Sequence, residues 1–188
     1  MNNGTDSIAE LFQKYGDEVF RTCLLILKNR EAAEDAAMET YLRAMRTISG
    51  FCGGSSEKTW LIRIAVNLCK DTLRSPAVRR NLGSEPLESL AGRDEYAARD
   101  DRLTVSAAIG ALKPIYREAA VLCFYNGFTV KEAARLAGVP QTAMAYRVRR
   151  ARELLRESLG AEYFGEDPQA GERRASPETP LTGKERSS

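Results

Sequence analysis

The chain has 188 residues, with 28 Lys and Arg against 26 Asp and Glu, so its formal net charge is only +2. A charge this close to balance excludes a polycation that coats nucleic acid without selectivity. The length allows one ordinary domain or two small ones, and a hydrophobic content of 43% with few aromatic residues favours helices over sheet.

The chain has few of the residues that usually serve in catalysis or metal binding. The chain has no histidine, and its four cysteines are widely scattered, which disfavours a zinc site and removes the commonest general base. We therefore expect no enzymatic activity, no metal, no cofactor and no small-molecule substrate. No segment approaches the roughly 18 apolar residues of a membrane span, and no signal pattern is present, so we expect a soluble, cytoplasmic protein without membrane insertion.

The first 75 residues predict three amphipathic helices. Apolar residues recur at spacings of three and four over about residues 7–28, 30–48 and 57–74. Asn29 is expected to end the first helix and to cap the second, and a glycine-rich loop, Ser49–Ser56, precedes the third. In the second helix the side chains expected to face inward are Ala33, Ala37, Tyr41, Ala44, Met45 and Ile48.

Charged residues mark the outer faces of the second and third helices. Asp35, Glu39 and Arg43 form an outward row on the second helix, and taken alone this row is typical of a solvated face steadied by an ion pair at i, i+4. On the third helix Trp60 lies at the edge of the apolar arc, where we expect a core anchor rather than a stacking platform. The polar arc of that helix holds Arg63, Asn67, Lys70, Asp71 and Arg74.

The pattern lapses over residues 76–98, where Pro and Gly interrupt polar residues, and this predicts a flexible linker. Helical patterning resumes over residues 99–160 and stops at a polar tail, residues 161–188, which we expect to be disordered. The predicted fold is therefore all-α. Two small helical domains, residues 1–75 and 99–160, are joined by the linker, and the C-terminal one contains a helix-turn-helix.

The helix-turn-helix is the most informative stretch of the chain. Thr129 and Glu132 form a capping box at the start of its first helix. Gly138 ends that helix at the left-handed C′ position, and Pro140 suits the first turn of the next helix. Four residues of the second helix share one buried stripe: Met144, Val148, Ala151 and Leu155.

The opposite side of this second helix is polar and basic, and it carries Thr142, Tyr146, Arg149 and Arg150. Such a side, on the second helix of a pair joined by a short turn, can enter a DNA major groove. The alternative at this point is a solvated charged face on a small helical hairpin.

Five sequence strings resemble, in their order and spacing, the extracytoplasmic-function (ECF) sigma factors of bacterial RNA polymerase. The strings are A-E-D-A-A-M-E-T-Y (33–41), T-W-L-I-R-I-A-V-N-L-C-K-D-T-L-R (59–74), L-K-P-I-Y-R-E-A-A-V-L (112–122), G-F-T-V-K-E-A-A-R-L-A-G-V (127–139) and Y-R-V-R-R-A-R-E-L-L-R (146–156). No single string is decisive, but together they cover nearly the whole patterned chain. The resemblance implies an alternative sigma factor that binds core RNA polymerase and promoter DNA and directs initiation through the −10 and −35 elements.

The resemblance also implies roles for residues of the N-terminal domain. The surface matching the first string docks on the clamp helices of the largest polymerase subunit, which assigns polymerase binding to Asp35, Met38 and Glu39, although the family usually has Gln at the position of Met38. The third helix and the glycine loop match the promoter-melting element. Binding of the −10 element is thereby assigned to Lys58, Arg63, Asn67, Lys70 and Arg74.

In the C-terminal domain the resemblance assigns reading of the −35 element to the helix-turn-helix. Arg149 is the candidate for a bidentate contact to guanine, and Thr142 and Tyr146 are placed for base or methyl contacts. Phosphate contacts are expected from Arg147, Arg150 and Arg152. Because Ala145 and Tyr146 stand where the family often has a basic and a small hydroxyl residue, promoter preference is not carried over.

Other functions stay open at this point. The first alternative is a stand-alone helix-turn-helix regulator, a dimeric repressor or activator, and the second is a sigma-like module that sequesters a partner without reading DNA. A metal-dependent nuclease is disfavoured, because no base or substrate pocket accompanies its candidate ligands Glu31, Glu34, Asp35 and Glu39. The resemblance finally implies an anti-sigma factor as a partner.

Overall fold

A computed structural model describes residues 3–48, 56–75 and 100–160, and all of its regular elements in these ranges are helices. The all-α prediction is therefore confirmed. The N-terminal unit contains α1 (Asn3–Leu27), α2 (Arg30–Thr47) and α3 (Glu57–Arg74). The C-terminal unit contains α4 (Asp100–Ala111), α5 (Pro114–Ala120) with a π-helical turn (Val121–Tyr125), α6 (Val130–Ala137) and α7 (Gln141–Leu159).

Three sequence predictions fall largely or wholly outside the described residues. They are the linker at 76–98, the tail at 161–188 and all but the last residue of the glycine-rich loop. The domain limits drawn from the sequence, at residues 75 and 99, stay predictions.

The starts of α2 and α3 are fixed by side-chain caps. Asn29 accepts a hydrogen bond from the backbone N–H of Ala32 at 2.8 Å, which confirms its predicted role as the cap of α2. Ser56 accepts one from the N–H of Thr59 at 3.1 Å and starts α3. These contacts satisfy backbone donors that have no partner inside a helix.

The three helices of this unit pack around a core in which Val19, Leu61, Ile62 and Val66 are almost fully buried. The expected inward face of α2 is correct at Ala33, Tyr41 and Ala44 but wrong at Met45, which is 47% exposed. The small residues Ala36 and Thr40 are buried instead. Their short side chains allow α2 to pack closely on α1 and α3.

The C-terminal unit follows its local sequence signals closely. Thr129 and Glu132 form the capping box in both directions, and Gly138 has φ 65° in the left-handed region. The predicted stripe of α7 is buried: Met144, Val148, Ala151 and Leu155. Pro140 precedes α7 as its N-cap residue rather than lying inside the first turn.

The stretch from Pro114 to Tyr125 begins as an α-helix and ends as a π-helical turn. Val121–Tyr125 forms a π-helical turn, in which the N–H of Asn126 donates to the carbonyl of Val121 at 3.0 Å. The Asn126 side chain donates to the same carbonyl at 3.0 Å. This turn brings Asn126 to the boundary between the two units.

The two units pack against each other, and their buried apolar residues form one continuous core. α1 contacts α4, α5 and the π-helical turn, and α3 contacts α6. Of the described helices, none is both long enough and apolar enough to cross a membrane.

Candidate nucleic-acid interface

The outer face of α7 presents the side chains that the sequence predicts to read bases. Thr142, Tyr146 and Arg149 are all exposed, and Tyr146 is open at 52%. Their spacing of four and three residues places them along one side of the helix. The Arg149 guanidinium lies 5.6 Å from the centroid of the Tyr146 ring, a cation–π contact that leaves it on this side.

Arg150 lies at the edge of this face and is half-buried. Its Nη1 donates to Glu153 Oε2 at 2.9 Å, one turn further along the helix, and this bond raises the pKa of the guanidinium. An exposed ion pair of this kind contributes little to stability because water screens it, so Arg150 can exchange Glu153 for a phosphate at little cost.

Two other arginines predicted to bind phosphates, Arg147 and Arg152, already contact side chains within the C-terminal unit. Arg147 Nη1 lies 3.5 Å from Glu118 Oε2 on α5, and the Arg147 side chain is only 21% exposed. The Arg152 guanidinium lies 5.6 Å from the centroid of the Phe124 ring in the π-helical turn. The structure thus keeps these two arginines beside α5 and the π-helical turn, whereas Thr142, Tyr146 and Arg149 face outward.

Tyr116 on α5 adds a contact that the sequence analysis missed. Interaction with the Tyr146 side chain is the main cause that raises the pKa of Tyr116. Tyr146 therefore touches α5 on one side and Arg149 on the other. No periodic signal marks Tyr116, since its role depends on which helix packs against α7.

A second polar face lies on α3 in the N-terminal unit. Arg63, Asn67 and Arg74 are exposed, and a turn of 100° per residue brings all three within a narrow stripe. Arg74 Nη1 lies 3.6 Å from Asp71 Oδ1 beside this stripe, and both side chains are well exposed. The stripe is basic and open to solvent, as a surface for a polyanion requires.

Lys58 and Lys70, the other two residues predicted to bind the −10 element, are turned toward the C-terminal unit. Lys58 Nζ lies 2.6 Å from Glu18 Oε1, donates to the carbonyl of Asn126 at 3.3 Å, and sits 5.9 Å from the centroid of the Phe128 ring. Lys70 Nζ donates to the carbonyl of Ala137. The two lysine side chains are only 29% and 25% exposed, respectively.

The outward row of α2 forms a third surface, which is both acidic and apolar. Asp35 is exposed, and Glu39 Oε1 accepts a hydrogen bond from Arg43 Nε at 2.9 Å. Beside these carboxylates run Met38, Leu42 and Met45, which are exposed large apolar residues at a spacing of four and three. This apolar stripe was missed by the sequence analysis, because Met45 was expected to point inward.

In the described part of the chain, no group of three or more Cys, Asp or Glu side chains is placed to hold a metal ion. The four carboxylates of α2 considered for a nuclease therefore do not converge on a metal site. Cys23 and Cys69 are buried and Cys123 is half-buried, all three as free thiols.

Comparison with known proteins gives consistent matches for both units. Residues 11–79 match the family model described as Sigma-70 region 2, and residues 102–155 match Sigma-70, region 4. The ECF RNA polymerase sigma factor SigE of Mycolicibacterium smegmatis is 31% identical over 156 residues, spanning 80% of this chain and 60% of SigE. The ECF RNA polymerase sigma factor SigC of Mycobacterium tuberculosis is 30% identical over 154 residues, covering 81% of this chain and 83% of SigC.

A solved structure has the same fold. The sigma factor RpoE of Bartonella quintana, solved in complex with the anti-sigma factor NepR, superposes with a TM-score of 0.64. The match covers 81% of this chain and 96% of RpoE at 24% sequence identity.

Proposed function

The chain belongs to the ECF family of RNA polymerase sigma factors, and from that premise we propose how its surfaces direct transcription initiation. Members of this family are initiation factors, and the polymerase supplies the catalysis. The proposal is that this chain binds core RNA polymerase and promoter DNA, needs no cofactor or substrate of its own, and acts in the cytoplasm. The observation that carries it is the presence of two separate exposed polar faces, on α3 and α7, in one chain.

The face of α7 is proposed to read the −35 element in the major groove. Arg149 has a planar guanidinium with a fork of donors, which matches the O6 and N7 acceptors of guanine. Thr142 and Tyr146 lie on the same side and are proposed to contact base edges or a thymine methyl group. Arg150, at the edge of the face, is proposed to bind a phosphate, which fixes the register of the helix without specifying sequence.

The face of α3 is proposed to hold the −10 element while the duplex opens. Arg63 and Arg74 supply positive charge, and Asn67 between them supplies both a donor and an acceptor for a base edge. Holding an unstacked base costs a few kcal/mol that binding must repay, and a basic groove beside single-stranded DNA is a common way to do so. Lys58 and Lys70 belong to the same proposed surface.

The acidic and apolar face of α2 is proposed to dock on the polymerase. Asp35 and Glu39 can receive charge-assisted hydrogen bonds from arginines of the partner, which orient as well as attract. Exposed methionine is adaptable and suits a protein interface. Met38 is therefore proposed to contribute apolar contact where the family usually has a glutamine.

Joining two weak DNA-binding units explains why one chain carries both. Each unit alone makes few contacts, but a shared linker and a shared polymerase raise the effective concentration of the second unit once the first is bound. Correct spacing between the two promoter elements is then selected along with their sequences. An anti-sigma factor, the kind of protein with which RpoE was solved, is proposed as a further partner.

The decisive experiment is transcription in vitro with purified core polymerase over a promoter library. We expect specific initiation only when both core enzyme and this chain are present, and poor promoter binding by the chain alone. A stand-alone regulator would instead bind a palindromic site without polymerase. Promoter-specific initiation by core enzyme lacking this chain would contradict the proposal.

Docking is tested by the same assay and by co-purification with core enzyme. Asp35→Arg reverses a charge on the proposed docking face and should weaken binding to core polymerase by about tenfold or more. The introduced guanidinium would face the arginines of the polymerase that Asp35 is proposed to bind, and like charges repel. Glu10→Arg on α1 is the matched control, because Glu10 is also an exposed carboxylate and is not part of the proposed face. Equal effects of the two substitutions would contradict the assignment.

A further inference from the structure

Two methionines lie exposed on the proposed docking face of α2. Met38 is 57% exposed and Met45 is 47% exposed, whereas Met144 in the core of the C-terminal unit is completely buried. The remaining methionine of the chain, Met1, lies outside the described residues. Methionine adapts well to an interface, but its thioether sulfur is also oxidised readily, and the product is polar.

The two exposed methionines share one edge of the proposed docking face. A turn of about 100° per residue places Met38 and Met45 about 20° apart around the axis of α2. Leu42, which is 40% exposed, lies next to them around the helix. Asp35 and Glu39 follow on the far side of Leu42, so the carboxylates form the opposite edge of the face.

An aromatic pair borders the methionines on their other side. Tyr41 follows Met45 around α2 in the direction away from the carboxylates, and its ring packs edge-on against Phe12 of α1 with 4.9 Å between the ring centroids. Phe12 is itself 51% exposed. The two sulfurs thus have aliphatic and aromatic neighbours on both sides. A partner surface that matches this edge presents apolar groups, which have no hydrogen-bond donor to offer.

We propose that Met38 and Met45 are a modification site for peroxide, and that their oxidation to methionine sulfoxide weakens docking on core RNA polymerase. The inference rests on the proposed function, since it concerns regulation of the same face of α2. In each oxidation the sulfur donates an electron pair to one oxygen of hydrogen peroxide, so an S–O bond forms and the O–O bond breaks. The other oxygen takes up the proton of the transferred one and leaves as water. Sulfur loses two electrons and peroxide gains two.

The sulfoxide changes the proposed docking face without disturbing the core. Both side chains are open to solvent in the free chain, so the new oxygen is hydrated there and the helices keep their packing. Docking removes that water and supplies no donor in its place. An unpaired polar group buried in this way weakens binding by about tenfold. Methionine sulfoxide reductases reverse the modification, so the loss of affinity is reversible.

The test begins with the full-length chain, treated with hydrogen peroxide and then with catalase to remove the excess. Peptide mass spectrometry follows the gain of one oxygen at each methionine. We expect Met38 and Met45 to be oxidised before Met144, because Met144 is buried. The oxidised chain should keep its helix content by circular dichroism and should bind purified core polymerase about tenfold more weakly than the untreated chain.

Two variants separate the exposed methionines from the other groups that peroxide oxidises. Met38→Leu/Met45→Leu keeps the apolar edge, Met144 and all four cysteines, so its affinity for core polymerase should not change on treatment. Met144→Leu is the matched control, because it conserves the volume of a buried methionine and leaves the exposed pair in place. It should lose affinity as the wild type does.

Enzymatic reversal distinguishes sulfoxide from oxidised cysteine. Methionine sulfoxide reductases supplied with a thiol reductant should restore binding by the oxidised wild type, whereas the reductant alone should not. Restoration by the reductant alone would assign the effect to cysteine and overturn the inference.

The inference is also overturned if the oxidised wild type binds core polymerase as tightly as the untreated chain, or more tightly. The same holds if Met38→Leu/Met45→Leu loses as much affinity as the wild type. The untreated wild type isolates the proposed function: if it does not bind core polymerase, the docking proposal is contradicted and the inference falls with it. If it binds and directs specific transcription but peroxide has no effect, only the modification site is wrong.

Discussion

Replacing Arg149 with alanine should change which base pair the C-terminal unit prefers. A bidentate contact to guanine discriminates by about 1–3 kcal/mol. In the free chain the guanidinium already rests 5.6 Å from the Tyr146 ring, and an exposed contact of this kind is worth about 0.5–1 kcal/mol. If the side chain must leave the ring to reach the groove, the net loss on Arg149→Ala falls to about 0.5–2 kcal/mol, or about 2- to 30-fold in affinity.

The assay is transcription with core polymerase over promoters that carry every base at each position of the −35 element. Arg149→Ala should reduce initiation from the preferred sequence and flatten the preference at one guanine position, leaving the other positions unchanged. Arg150→Ala provides the contrast, because a phosphate contact weakens all promoters alike and makes the slope of log affinity against log salt shallower by about 0.9. If Arg149→Ala weakens every promoter equally, then Arg149 is a phosphate contact and the base-reading assignment fails.

Three further predictions concern stability and thiol chemistry. Thr129→Ala removes the N-cap of α6 and should lower the free energy of unfolding by about 1 kcal/mol in a urea titration; no change would show that the capping box is dispensable. Lys28 has φ 57°, so Lys28→Gly should raise that free energy by about 0.5–1 kcal/mol by relieving left-handed strain, and a decrease would contradict the strain argument. Burial raises the pKa of the Cys123 thiol from 9.0 to about 11. The folded chain therefore binds this proton more tightly than the unfolded chain does. The contribution of the neutral thiol to stability is complete below pH 9 and is lost as pH rises through 11. Alkylation of Cys123, followed by peptide mass spectrometry, should accordingly reach half its maximal rate near pH 11, and a midpoint near pH 9 would refute the burial effect.

Local signals in the sequence determined where most helices begin and end. Asn29 and Thr129 cap helices through side-chain contacts with backbone groups only three residues away, so the residues that specify the contact are adjacent in the sequence. Gly138 is similarly specified, because few residues other than glycine adopt its left-handed backbone at low cost. The buried stripe of α7 and its outward face followed from the turn of 100° per residue.

The sequence by itself therefore determined the helices, the helix-turn-helix and the family to which the chain belongs. Only the tertiary structure decided which side chains at the margins of those helices are buried and which of the predicted DNA contacts are already engaged. Met45 has the right spacing for a core position and is exposed nevertheless, because smaller residues bring α2 against its neighbours. Thr22 and Asn126 are 104 positions apart, and Glu118 meets Lys70 only because the two units pack together. Periodicity reports the environment of one helix, whereas the partner of a buried polar group depends on the arrangement of all of them.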